Sequence, residues 1–262
     1  MIIDTHCHLD NEQYLDDADT VIQNALNEGI NAFLIPGADF KDLPRAIELS
    51  EKYDEVYFAV GIHPYDAQDY DETIMDKYVT HPKCIAIGEC GLDYFRLPED
   101  EVEKEANMAL QKRVFIAQIE YAKKVNKPLI VHIRDASNDS KKILLDYDAK
   151  EVGGVLHCYN ADEQLISLAK ENFYFGIGGV LTFKNARKLL QSMLKIPLDK
   201  LVVETDAPYL TPHPFRGKRN EPVYTKYVVE KMAELLEMSP KEVENLTTQN
   251  AKTLFKELSS IN

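Results

Sequence analysis

His6 and His8 form an H-x-H pair within the first ten residues, and no other feature of the sequence says as much about chemistry. In an extended segment successive side chains alternate faces, so Asp4, His6 and His8 point one way while Thr5 and Cys7 point the other. Two imidazoles brought together in this way suit a metal ion. A lone histidine is more often a hydrogen-bonded core or surface residue, but this pair is met later by carboxylates and further histidines in similar places. Of the seven histidines, six (His6, His8, His63, His132, His157 and His213) stand at the ends of predicted strands or in the loops just beyond.

The later partners are Glu89 in AIGECGLD, His132 in IVHIR, His157 in VLHC and Asp206 in VVETDAP. Alternation puts Ile130 with His132, Val155 with His157 and Ile87 with Glu89 on shared faces. A buried, unpaired carboxylate costs several kcal/mol, so four histidines and two carboxylates at one end of a fold are hard to explain as packing. Counting ligands gives two divalent ions. His6, His8 and Asp206 take one, His132 and His157 the other, and Glu89 bridges them. The nitrogen-rich set favours zinc or manganese, with magnesium admissible at loose occupancy. Two such ions roughly 3.5–4 Å apart suit in-line displacement at phosphorus. Glu89 and Asp206 are the candidate catalytic residues, with Asp206 both ligand and proton acceptor.

Around this set, His63 and Tyr65 of GIHPYD are candidate substrate contacts, as is Arg134, which shares the face of His132 and could clamp a phosphate. Asp93 and Tyr94 are weaker candidates, and Glu204 is placed to support Asp206 from one step deeper. The segment HPFRGKRN adds His213, Arg216, Lys218 and Arg219, read as a phosphate-facing loop with Arg216 and Lys218 as the substrate contacts.

These residues need a frame that gathers strand ends. Apolar runs at 2–8, 32–37, 56–63, 84–91, 128–134, 152–158, 173–179 and 201–207 read as strands. Helical patterns lie at 16–28, 42–52, 70–79, 101–125, 137–147, 162–171, 183–194 and 223–237. In the longest, Leu110, Val114, Ala117 and Tyr121 form the apolar stripe, with Lys112, Gln118 and Lys123 mostly turned away. Short apolar strands separated by helices pair in parallel with both faces covered, and eight such units predict a (β/α)8 TIM barrel, with an open doubly wound sheet as the alternative. No linker interrupts residues 1–262, so one domain is expected. Ser239, Pro240 and Glu242 start an extra C-terminal helix.

Composition narrows the classes. The net charge of −14 repels a polyanion at long range and counts against a protein that coats nucleic acid, although divalent ions in a cleft would reverse the local field. No apolar run approaches the roughly 20 residues needed to span a bilayer, and the N-terminus lacks the regions of a signal peptide, so a soluble cytoplasmic protein with no membrane partner is expected. The four cysteines, Cys7, Cys84, Cys90 and Cys158, have no C-x-x-C spacing and read as reduced thiols, with Cys7, Cys90 and Cys158 facing the outer layer of the barrel. Nucleophile-elbow, Walker A and dinucleotide-binding sequences are absent.

The motifs DTHCHLD (4–10), VGIHPYDA (60–67), AIGECGLDYF (86–95), PLIVHIRDA (128–136), GVLHCYN (154–160), VVETDAPYLTP (202–212) and RGKRNEP (216–222) together resemble the TatD family of metal-dependent deoxyribonucleases. The resemblance implies a (β/α)8 barrel with up to two divalent ions and hydrolysis of phosphoester bonds in DNA. His6, His8, Glu89, His132, His157 and Asp206 match the family's metal positions. Tyr159 and Asn160 stand where many relatives have Phe-Ser, and Cys90 where an aliphatic residue is common; neither departure removes a ligand. The resulting expectation is a hydrolase that cleaves DNA from single-stranded ends with a one- or two-metal site. The alternative is an aminoacyl-ester hydrolase of the D-aminoacyl-tRNA deacylase type on the same site. Cyclic-amide hydrolysis is disfavoured because no lysine lies near the end of strand four, and a non-catalytic metal scaffold because the ligand set is intact.

Overall fold

Eight short strands, each too apolar to leave either face in water, pair in parallel in the order of the sequence: β1 Ile2–Asp4, β2 Ile30–Ile35, β3 Val56–Val60, β4 Cys84–Asp93, β5 Leu129–Arg134, β6 Gly154–Leu156, β7 Phe173–Ile177 and β8 Leu201–Val203. A computed structural model describes residues 1–261. The ring closes just past the ends of β8 and β1. There Thr5 N–H donates to the Val203 carbonyl at 3.1 Å, Asp206 N–H to that of His6 at 2.9 Å and His8 N–H to that of Ala207 at 2.7 Å. The chain is therefore a (β/α)8 TIM barrel rather than an open sheet.

The helices are α1 Ala18–Asn27, α2 Leu43–Lys52, α3 Glu72–Tyr78, α4 Glu101–Val125, α5 Ser137–Asp146, α6 Arg187–Met193, α7 Thr225–Leu236 and α8 Pro240–Leu254. The segment expected as a helix over 162–171 is a 3₁₀ helix, Glu163–Glu171. α8 starts with the expected capping box, in which the Ser239 side chain accepts from Glu242 N–H and the Glu242 carboxylate accepts from Ser239 N–H. Among the described residues no helix is long and apolar enough to cross a membrane.

Two apolar layers make the core. Ile3, Leu34, Ala59, Ile130, Val155 and Val202 fill the barrel interior, and its floor is closed by Leu254, Phe255 and Leu258 from α8 and the turn after it. Phe33, Phe58, Cys84, Val131, Phe175 and Val203 face outward against the helices, together with Cys7 and Cys90 as expected; Cys158 is only partly buried. The layers show where regular alternation fails. β4 carries one extra residue relative to β5 between Ile87 and Cys90, a bulge that re-aims side chains. Ile87 therefore packs in the outer layer while Glu89 turns inward, instead of the two sharing a face.

The apolar stripe of α4 also differs from expectation. Gln118 is buried, where its amide clamps Ile62, accepting from the N–H at 2.9 Å and donating to the carbonyl at 3.0 Å. Gln111, two turns earlier, makes the same pair of bonds to Asp93, both at 2.9 Å. Two side chains of one helix thus fix the segments leaving β3 and β4.

Candidate metal centre

The side chains that meet at the C-terminal mouth come from within β4 and β5, which carry Glu89 and His132, and from the segments just past β1, β6 and β8. β1 is shorter than expected. The Asp4 carboxylate accepts from His6 N–H at 3.3 Å, and from Thr205 N–H at 2.9 Å and its hydroxyl at 2.6 Å, so the chain bends after Asp4 and Asp4 points into the β1–β8 seam. His6 and His8 still converge, with their Nε2 atoms 3.2 Å apart. Asp206 lies across the seam, Oδ1 being 3.7 Å from His6 Nε2 and 3.5 Å from His8 Nε2. Its backbone sits at φ 56°, a left-handed conformation that is costly for a residue with a Cβ and frequent at functional sites.

Glu89 stands between two pairs of imidazoles. Its Oε2 faces His6 Nε2 at 3.4 Å and His8 Nε2 at 3.8 Å, while Oε1 faces His132 Nδ1 at 3.0 Å and His157 Nε2 at 3.6 Å. His6, Glu89 and His157 are buried, and the rings of His6 and His157 stack with centroids 3.5 Å apart.

The electrostatics follow from this crowding. Burial opposes the charge on Glu89, but the imidazoles of His157 and His6 outweigh it and hold the carboxyl well below its usual range. Burial and the neighbouring His157 push His6 down. His157 goes the other way, to about 10, because Glu204 and Glu89 overcome the cost of burying its charge. Imidazoles this close cannot all carry protons, whereas the His6 and His8 nitrogens, each within 3.8 Å of a carboxylate oxygen of both Asp206 and Glu89, suit a divalent cation. His6, His8 and Asp206 form one group with ligand spacing, and His6, Glu89 and His157 another.

Outer partners hold the rings. Glu204 Oε1 lies 3.2 Å from His157 Nδ1 and accepts from Cys158 N–H at 2.6 Å. Gly176 leaves room for that carboxylate, since a Cβ there would collide with it. Asp93 Oδ2 sits 2.9 Å from His132 Nε2, which directs the Nδ1 lone pair of His132 toward Glu89. His63, Asp93 and His132 also have ligand spacing. However, His63 Nδ1 accepts from Tyr65 N–H at 3.1 Å, so its proton is on Nε2, which faces Glu89 Oε1 at 3.8 Å. Burial and His132 push this ring down to about 3, and His63 offers a neutral N–H donor rather than a lone pair.

The remaining expected residues divide. Tyr65 packs edge-on against His63, with centroids 4.8 Å apart. Arg134 is exposed, stacked 3.6 Å from the Phe95 ring centroid, and with Tyr94, Ser137, Asn160 and Lys188 it lines a polar cavity of about 840 Å³ beside the mouth. Arg216 lies over Phe183 and donates to the Thr211 carbonyl at 3.1 Å, and Lys218 is exposed. Arg219 does not face a phosphate as expected. Its guanidinium binds Asp17 at 2.9 and 2.7 Å and Glu221 at 3.1 Å, which ties the loop to the start of α1. His213 donates its N–H to Thr182 and is not brought to the cluster. The clamps by Gln111 and Gln118 and the contact of Asp93 with His132 escaped the sequence reading; the seven-residue spacing of the two glutamines on α4 was the available signal.

The profile of the family described as TatD related DNase matches residues 3–256. An uncharacterized metal-dependent hydrolase of Bacillus subtilis, YabD, is 45% identical over 262 residues, covering 98% of this chain and 99% of that protein. A protein of Shigella flexneri named 3′-5′ ssDNA/RNA exonuclease TatD is 31% identical over 266 residues, covering 97% and 98%. The crystal structure of YJJV, a TatD homolog of Escherichia coli, superposes with a TM-score of 0.86 at 28% identity over 97% of this chain and 98% of that one. A barrel with this cluster at its mouth, matched along nearly its whole length, belongs to the TatD family of metal-dependent hydrolases.

Proposed function

We propose that the protein hydrolyses phosphodiester bonds at the ends of single-stranded DNA, with two divalent ions (zinc, manganese or magnesium) held by His6, His8 and Asp206 on one side and His132 and His157 on the other. The observation that carries this reading is Glu89, whose two oxygens each face a different pair of imidazoles. Bound there, divalent ions supply positive charge to the phosphoryl oxygens and acidify water.

The chain's own groups do the rest. Asp206, low in pKa despite burial because of His8 and His157, is ionised and able to accept a proton at its carboxylate. His63 presents Nε2–H to a phosphoryl oxygen without adding charge. Arg134, Arg216 and Lys218 edge the mouth and attract neighbouring phosphates, while the net charge of −14 repels strands that do not reach it. A recessed mouth favours a chain end over the middle of a duplex, and the exonuclease activity for which the Shigella relative is named supports the preference for single strands.

A divalent-ion screen with single- and double-stranded DNA labelled at the 3′ or 5′ end tests the reading. Metal-dependent release of mononucleotides from single strands is expected. Intact DNA with every ion, beside turnover of a misacylated tRNA, would replace it with aminoacyl-ester hydrolysis.

A further inference from the structure

Two aromatic rings stand exposed at the mouth, Tyr209 at 49% and Phe95 at 54%. Both rings are held in place by hydrogen bonds to their own residues. Tyr209 N–H donates to the Asp206 carbonyl at 2.8 Å, its carbonyl accepts from the Asn220 amide at 2.6 Å, and its hydroxyl accepts from the Asn11 amide at 3.2 Å. Its ring packs against His8 with centroids 5.9 Å apart and planes at 72°. Phe95 N–H donates to the Asp93 carboxylate at 2.9 Å, and one face of its ring lies under the Arg134 guanidinium at 3.6 Å. No carboxylate among the described residues pairs with Arg134 within 4.0 Å.

Topology sets where the rings stand. Phe95 follows β4 and Tyr209 follows β8, which are four strands apart in either direction around an eight-stranded ring. The two rings therefore flank the ligand cluster from opposite sides of the mouth. Aromatic faces bind unpaired bases with little regard to sequence, and a guanidinium stacked on one of them adds attraction for the adjoining phosphate. A duplex, whose bases are stacked on each other, cannot use such platforms.

We infer that Tyr209 and the Phe95–Arg134 pair are base-stacking platforms that grip the nucleotides on either side of the scissile phosphodiester of a single strand. This rests on the proposed nuclease activity and adds how the strand is held and why it must be unpaired. Neither ring is a metal ligand, and both act on substrate through bases alone.

The test uses the metal-loaded full-length protein and oligonucleotides in which either nucleotide flanking the cleaved linkage is replaced by an abasic tetrahydrofuran residue. For the wild type, each replacement is expected to cost about tenfold in kcat/KM, expressed in KM, within the range for loss of one base–aromatic stack. Tyr209→Ala should lose about tenfold on the intact strand and become indifferent to one of the two replacements, Phe95→Ala to the other, and Tyr209→Phe should retain discrimination. A 2-aminopurine base at either position of a phosphorothioate strand should be quenched on binding to the wild type, a readout that needs no variant to fold. Absence of quenching, or undiminished discrimination in both alanine variants of wild-type circular dichroism, overturns the platforms while leaving nuclease activity standing. Failure of the wild type to bind or cleave any strand while it hydrolyses bis(p-nitrophenyl) phosphate overturns the nuclease reading, and the platforms with it.

Discussion

Asp93 holds His132: its Oδ2 lies 2.9 Å from His132 Nε2, and its other oxygen accepts from Phe95 N–H. Asp93 is in turn fixed by the Gln111 amide of α4, so a helix on the outside of the barrel sets the angle of an imidazole inside it. Removing such a carboxylate typically weakens metal binding by about 10–100-fold. Asp93→Ala should show that loss in a competitive chelator titration, with the circular dichroism spectrum unchanged. Unaltered affinity would mean that His132 is oriented by packing alone.

Asp206→Asn keeps the size of the side chain but removes its ability to accept a proton. Turnover of a single-stranded oligonucleotide should fall about 10²–10⁴-fold, the usual contribution of a positioned acid or base. Glu89→Ala should abolish activity and lower the bound-metal content measured by plasma emission, because both imidazole pairs lose the carboxylate that stands between them. Full activity in either purified variant would sink the assignment.

Gly176 tests the support of His157 without touching a proposed ligand. A methyl group there must displace the Glu204 carboxylate, which is fully buried and has nowhere open to go. Gly176→Ala should therefore weaken metal affinity in the same titration, by about tenfold or more on the scale of lost outer partners. Gly217→Ala, at a glycine with open space around it but a φ of 86°, should cost some stability and leave metal affinity unchanged.

Phe255 is fully buried in the floor of the barrel, at the opposite end from the mouth. Phe255→Ala should destabilise the protein by about 3–5 kcal/mol in urea unfolding, the usual cost of emptying a buried aromatic site. Metal affinity in the folded fraction should not change, which would separate fold from site.

The Arg219–Asp17 pair carries a pH signature. Its guanidinium holds the Asp17 carboxyl below the ordinary value of 3.8, so the pair stabilises the protein above that pH and the contribution is lost as pH falls through the lowered value. Because the pair is largely exposed, Asp17→Asn should cost no more than about 1 kcal/mol at neutral pH and progressively less in acid. A stability difference from wild type that grew on acidification would contradict it.

The sequence by itself determined the barrel and the composition of the cluster. Eight apolar runs, separated by helical periodicities and too apolar for one exposed face, admit few arrangements other than a closed parallel ring, and polar residues at their C-terminal ends mark its mouth. His6, His8, Glu89, His132, His157 and Asp206 were legible because histidines and acids are out of place in such runs. Tertiary structure alone decided how they meet. The bulge in β4 turns Glu89 inward against the parity of Ile87, the bend after Asp4 replaces regular alternation at His6 and His8, and Arg219 is drawn to Asp17 while the neighbouring Arg216 and Lys218 are not. Sequence patterns record which residues prefer burial or a given local conformation. A one-residue slip in register, or the choice of partner for a charge, depends on distances between segments about 200 residues apart, and those are fixed only when the ring closes.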